Sequence, residues 1–491
     1  MRIEKLLAIL ALGAMVSCQT KDNLSVSSVT LSDQGQVILT EKTSNTPLTY
    51  LADTDPEAWS RLGSVEERIE ACNPTQEELD RMSTKALVES IAHYPLNSYA
   101  LLYNDPDDFI RLLTETSTLH REFGKRQDSA DALIDFLAES ELKMGVGASR
   151  LHNKEVSFGE EMFLEHFAAT KEFQNSLSGE ESKKLEAIVK SKYIERMSEP
   201  EVFSDVSLEP LKKIQTPPVL TRDAGKIQKD FATIGTSRIY TLFGHYLDVL
   251  INAEMSAAET RDIYAYVRTN FKDTSRATED PTHPATSHYN CHSYAWYNRS
   301  SSNPYWINAK NNNNVLQLSR YWTNDAYMSC PASQGEVVYY PNGDHSAVKR
   351  ADGKFISKWG KGPVMIHEPS YCPYTSTNLQ YFKLAELPQR SLKINGPESS
   401  SMIPIGQICN YYVDVYNPSV TYQWTVESYP GDANFIEPTI LSDRMTYSSL
   451  SIKFNAPGYY VMRVDSYGKT NTQQTVHIGY DIVSAVAIPQ F

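Results

Sequence analysis

Cys291, His345 and Ser357 are the residues of this chain whose types and order suit covalent chemistry. Cys291 stands in YNCHSYAW, residues 289–296, and His345 follows 54 positions later in GEVVYYPNGDHSAVKR. A cysteine nucleophile needs a thiol poised as thiolate, a base within reach, and a group that orients the base. HPATSHYN before Cys291 reads as a loop, and HSYAWYNRS after it as a short helix with Ala295 and Trp296 turned inward. Cys291 is therefore expected at a helix start, where unpaired N–H groups favour the thiolate. GEVVYY reads as a strand, Pro341–Asp344 as a turn, and His345 as the first residue of the next strand, exposed enough to act. KFISKWG, after the ADG turn, reads as a third strand that brings Ser357 or Lys358 towards the imidazole.

Each of these residues has a plainer reading. Cys291 competes with a disulfide half, a packed thiol and a metal ligand, the last using His288, His292 or His345. No spacing here suits a tetrahedral zinc site, so no metal and no cofactor are expected. Cys330 and Cys372 are a candidate disulfide pair around the hairpin, which would leave Cys291 free. His345 competes with an ordinary surface histidine, and His292 is expected to point away along the helix into a structural hydrogen bond. His367 and Glu368 either line a cleft or end a strand, and Trp359 is core or cleft wall.

The rest of the chain must hold these groups in place. Arg2 and Lys5 precede an 11-residue apolar run, Leu6 to Val16, too short to span a bilayer and shaped like a signal-peptide core. Ala14, Met15, Val16 and Ser17 lead into Cys18 in a pattern that resembles a bacterial lipoprotein lipobox, which implies lipidation at Cys18 and a membrane held through that lipid. Residues 1–17 are thus expected to be the signal, and 18–55, rich in Ser, Thr and Asn, a tether with one strand around Gln36–Thr40. The implied location is the bacterial cell envelope, at the outer membrane through the lipid anchor, with the periplasmic or the surface face left open. Removing residues 1–17, which carry Arg2, Lys5 and Glu4, takes the net charge from −14 to −15. That surface argues against nucleic acid as a partner. Five cysteines beyond Cys18, an odd number, leave at least one thiol unpaired within the chain. Nothing in the composition bears on the oligomeric state.

The length of 491 residues predicts about three domains at roughly 150 residues each. Residues 56–270 are expected to be helical, as in TQEELDRMSTKALVESIAHY and DPDDFIRLLTETSTLHREF, which open on capping residues and repeat apolar positions at three and four. SLEPLKKIQTPPVLTRDAG, residues 207–225, reads as a linker or ordered loop, and 226–270 as a further helical segment. Residues 275–388 turn aromatic and strand-like. From 390 to 491 apolar and polar residues alternate between Gly and Pro turns, as in a β-sandwich, with Trp424 on the core. The fold class expected is multidomain α+β: a helical region, an α+β domain and a sandwich.

Two resemblances sharpen this. Residues 392–485 resemble immunoglobulin-like, PKD-type modules, which act mostly as spacers or binding platforms. NCHSYAW, then GEVVYY, then HSAVKRADGKFISKWG resembles the core of the NlpC/P60 papain-like cysteine hydrolases, in a divergent branch marked by NCHxYAW and SKWG. The resemblance implies a papain-like domain over 275–388, with Cys291 as nucleophile and His345 as general base. Ser357 falls where the superfamily usually has His, Asn or Gln. It further implies acyl transfer to Cys291, with the Cys291 N–H as one oxyanion donor and Tyr289 or Asn290 as another. The substrate class implied is a peptide or cell-wall amide. Two alternatives stand beside it: an inactive surface binding or adhesion lipoprotein, and a transglutaminase-like acyltransferase with Asp352 as the third residue.

Overall fold

The computed structural model describes residues 28–31, 37–40, 44–144, 155–215, 233–311, 315–323, 325–385, 392–397, 402–414, 417, 419–428, 438–441 and 448–489. Cys18 and residues 1–17 lie outside the described residues. Strands Ser28–Leu31 and Val37–Thr40 pair antiparallel, the second where the tether was expected to carry one.

The N-terminal half is helical because its sequence supplies both starts and apolar faces. Ser64, Thr75, Ser157 and Ser178 each close a capping box with the glutamate three residues on, satisfying N–H groups that the first turn leaves without partners. Asp105 caps Pro106–Thr116, with proline at the first turn. Two stretches depart from expectation. Residues 207–215 belong to a helix, Asp205–Gln215, which contains Pro210. Residues 233–252 form an antiparallel hairpin, Thr233–Tyr240 with Tyr246–Asn252, and among the described residues of 233–270 only Ala257–Asn270 is helical. The β-branched and aromatic residues of TIGTSRIY and YLDVLIN fit a pleated surface, and Gly244 makes the turn between them at φ +91°.

The central sheet has seven strands in the order Ala277–Glu279, Val364–His367, Phe355–Lys358, His345–Lys349, Val337–Tyr340, Gln380–Leu384 and Tyr327–Ser329, every pair antiparallel. Alternation along the strands sends neighbouring residues to opposite faces. Val338, Tyr340, Ala347, Phe355, Trp359 and Met365 join one core with the N-terminal helices. Val337, Tyr339, Val348 and Val364 join a second with Tyr294, Ala295 and Trp296 and with the hairpin residues Ile239, Leu247 and Val249. The helices and the sheet therefore share a core, and residue 270 is not a packing boundary. Gly360, at φ +47°, lies against the Leu102 carbonyl so closely that a Cβ would come within 2.3 Å of its oxygen. Only glycine lets the two segments meet there.

The C-terminal residues form two four-stranded sheets, one led by Ile408–Val413 and Ser449–Lys453, the other by Gly458–Lys469 and Thr475–Ile488. Trp424, Tyr411, Tyr422, Leu450 and Met462 fill the core between them.

Candidate active site

Cys291 opens a short helix that continues as the π-turn Ser293–Tyr297. Asn290 secures its start. The Asn290 Oδ1 accepts from the N–H groups of Ser293 at 3.1 Å and Ile307 at 3.2 Å, and its Nδ2 donates to Ile307 O at 2.7 Å. Trp296 holds the helix on the sheet, its indole N–H donating to Ser346 Oγ at 2.9 Å. The far end is held from the sandwich: Asn471 Nδ2 donates to Ala295 O at 2.7 Å, and Arg299 N–H donates to Asn471 O at 3.1 Å.

Around Cys291 four polar side chains converge, and one comes from the helical region. Asn104 lies between the short helix Asn97–Leu101 and Pro106–Thr116. Its Nδ2 is 3.3 Å from Cys291 Sγ, 3.0 Å from His292 Nε2 and 2.6 Å from Asp344 O. Its Oδ1 is 3.4 Å from Cys291 Sγ and accepts from Asn290 Nδ2 at 3.1 Å. The His292 ring is held on both sides, Nε2 at 3.2 Å from Asp344 Oδ1 and Nδ1 at 2.9 Å from Ser346 Oγ. Burial alone would favour the neutral ring, but the Cys291 sulfur beside it and the Asp344 carboxylate outweigh burial and push His292 up to about 10. Burial likewise opposes ionisation of Asp344, yet its bond to His292 and the charge of that ring hold the carboxyl below its ordinary range. Asp344 sits at the tip of the turn with φ 42°, a left-handed conformation that a short polar side chain tolerates. Cys291 and His292 have no exposed surface, whereas the Asp344 side chain is 26% exposed. Asn104 is half-buried, so it and Asp344 are the partly exposed members of the group.

His345 is placed apart from this group. It is fully buried rather than exposed, and its ring lies flat on Tyr374, centroids 3.6 Å apart and planes 12° off parallel. Neither ring nitrogen has a hydrogen-bond partner among the described residues, and burial pushes its pKa well below the ordinary histidine value. The cause is strand alternation. Ser346 faces the Cys291 helix, so His345, one residue earlier, faces the helical region instead. Ser357 does not reach His345 either; it bonds His367 Nε2 at 2.9 Å, while His367 Nδ1 donates to Glu368 O at 2.7 Å.

The remaining candidates are structural in their contacts. Trp359 is buried edge-on against Phe271, ring centroids 4.6 Å apart, in the shared core and not on a cleft. Tyr289 is buried beneath the ammonium of Lys358, which lies 5.3 Å from its ring centre. Asn290 caps the helix and also touches Asn104. The Cys330–Cys372 pairing is corrected: both thiols are free. Cys330 follows the edge strand Tyr327–Ser329, whereas Cys372 is buried in the shared core near the carbonyls of Pro369 and Tyr374. Asp352 is exposed and pairs with Arg350.

Sequence reasoning missed Asn104 and Asp344 and gave His292 only a structural bond. Asp344 had a signal, the Gly-Asp tip of the turn directly before a strand. Asn104 had none, since NDP reads only as the approach to a capped helix.

These features describe a multidomain α+β protein, helical in its N-terminal half and built of antiparallel sheets in its C-terminal half. No protein-family model matches the chain, and no curated protein matches it. Among solved structures, the chain is similar to the solution structure of the PKD domain from human KIAA0319. The identity is 16%, over 22% of this chain and 89% of that one, with a TM-score of 0.16.

Proposed function

We propose that this protein is a cysteine hydrolase, an amidase or peptidase working by acyl transfer to Cys291, held by its lipidated Cys18 in the bacterial cell envelope. One observation supports the chemistry above all: Cys291, His292 and Asp344 gather around a single amide, with the imidazole braced by the carboxylate. These are group types that covalent catalysis uses, with the Ser346 hydroxyl on Nδ1 orienting the ring and Asp344 on Nε2, the nitrogen that also faces the amide. His292 takes the proton role expected of His345. A ring that holds its proton up to about 10 can supply that proton next to the sulfur. The thiolate attacks the carbonyl carbon, His292 gives its proton to the departing amine, and the thioester is hydrolysed by water that the now neutral ring deprotonates. The Asp344 carboxylate stabilises the imidazolium throughout. No cofactor enters. The substrate class expected is a peptide or cell-wall amide.

The complete burial of Cys291 favours a second reading, an envelope-anchored binding protein whose papain-like domain is silent. Thiol labelling separates the two. With a chloroacetamide probe at pH 7, Cys291 of the native chain is expected to react at least tenfold faster than Cys330, the half-exposed reference thiol. His292→Ala is expected to abolish that advantage. Uniformly slow labelling of all cysteines, in the native chain and in Asn104→Ala alike, would sink the hydrolase.

A further inference from the structure

We infer that Asn104 stands in the place of the substrate's reacting group, and that the site takes primary carboxamides such as the side chains of glutamine or asparagine in a peptide. The inference rests on the reading of Cys291 as nucleophile and adds what is attacked.

Both ends of the Asn104 carboxamide touch the sulfur, Nδ2 at 3.3 Å and Oδ1 at 3.4 Å, so the group meets Sγ along its N–O edge, oxygen to one side and nitrogen to the other. The oxygen end accepts from Asn290 Nδ2, a donor fixed by its own bond to Ile307 O. A donor at that point would also meet the oxyanion of a tetrahedral intermediate. The nitrogen end faces Asp344 O at 2.6 Å and His292 Nε2 at 3.0 Å. That is where a leaving nitrogen has to meet its proton donor. Asp344 Oδ2, at 3.4 Å, adds a second acceptor on the same side. An NH2 group offers two hydrogens to these acceptors, a peptide nitrogen offers one, and an ester oxygen offers none. The carboxylate product would turn an oxygen towards Asp344 O and Oδ2 and be repelled, which favours its release.

The reaction balances without a further reagent. The Cys291 thiolate bonds to the carboxamide carbon, the C–N bond breaks, and the nitrogen leaves as ammonia with the proton from His292. Water then cleaves the thioester to give the acid and the free thiol. A primary amine in place of water would give a new amide. Asn104 belongs to a loop tied down by Tyr103 Oη donating to Pro373 O and by Tyr374 Oη donating to Leu102 O. A peptide carboxamide therefore enters only after Asn104 leaves.

The test uses the full chain, native and Asn104→Ala, with Asn104→Ser as a second variant that keeps a small polar side chain. Cys291 in either variant is expected to react with iodoacetamide at least tenfold faster than in the native chain. Iodoacetate, which carries a carboxylate in place of the carboxamide, is expected to react at least tenfold more slowly than iodoacetamide at Cys291, after correction for the two rates at Cys330. Asn104→Ala is expected to release ammonia from carbobenzoxy-Gln-Gly, and adding Cys291→Ala is expected to abolish the release. Unchanged alkylation in both variants overturns the inference, because Asn104 then does not hold the substrate's place. Faster alkylation with hydrolysis of p-nitrophenyl acetate but no ammonia from the glutamine peptide overturns the carboxamide class and leaves the nucleophile standing. If Cys291 reacts no faster than Cys330 in any of the three chains, the nucleophile falls and the inference with it.

Discussion

His292 Nε2 lies 3.2 Å from Asp344 Oδ1, although the two residues come from a helix and a turn 52 positions apart. Neither partner is free to swing away: Ser346 holds the other ring nitrogen, and Asn104 donates to the Asp344 carbonyl. The pair fixes where protonation of this site has its energetic effect.

His292 is pushed up to about 10 in the folded chain, from an ordinary value near ~6.5. A raised histidine binds its proton more tightly folded than unfolded, so its contribution is complete below about 6.5 and lost as pH rises through about 10. Lys358 slopes the other way over much of that range, since burial pushes it down to about 7. Comparing native protein with His292→Gln removes the Lys358 contribution from the difference. The stability gap between the two, from urea unfolding at pH 6, 8 and 10.5, is expected to be largest at pH 6 and to close by pH 10.5. A gap that does not vary with pH would show that His292 carries no extra proton.

His345→Phe separates the two imidazoles. The ring is buried on Tyr374 with both nitrogens unbonded, and unsatisfied buried polar atoms cost about 1–3 kcal/mol. Phenylalanine keeps the stack and removes that cost, less a small overpacking term. The variant is expected to be as stable as the native chain or about 1 kcal/mol more so, with Cys291 labelling within twofold of native. A folded variant that has lost the labelling would return the role of base to His345.

Lys358→Met tests how the sheet holds the helical region. Its ammonium, fully buried, donates to the carbonyls of Thr286 at 2.9 Å, Gly360 at 2.6 Å and Gly362 at 2.5 Å. Methionine leaves those carbonyls without their donor at the loop where Gly360 meets Leu102. The expected loss is about 2–5 kcal/mol, read by urea unfolding, together with faster alkylation of Cys291 as the Leu102–Asp105 segment loosens. A loss below about 1 kcal/mol would mean that the loop holds its shape without the ammonium.

What the sequence made legible follows from the range of each interaction. Helix starts were readable because a Ser or Thr and its glutamate stand three apart. The GEVVYY strand, the Asp344 turn and the His345 strand were readable because hairpins are local. The face of His345 was harder: one residue of register exchanges the helical region for the Cys291 helix, and only tertiary packing chooses between them. The stretch 233–252 misled because YLDVLIN and its neighbours carry apolar residues at spacings that serve either period. Asn104 was out of reach, since nothing local to NDP depends on a cysteine 187 residues away.

The grip of Asn471 on Ala295 spans 176 residues of chain, and it carries a consequence for the order of synthesis. A ribosome delivers Asn104 first, the Cys291 helix much later, and the hairpin that caps that helix later still. The partly made polypeptide holds a thiol but not the finished surroundings of that thiol. The order of synthesis is thus itself a timing device, keeping the cysteine in an unfinished setting until Asn471 has been made.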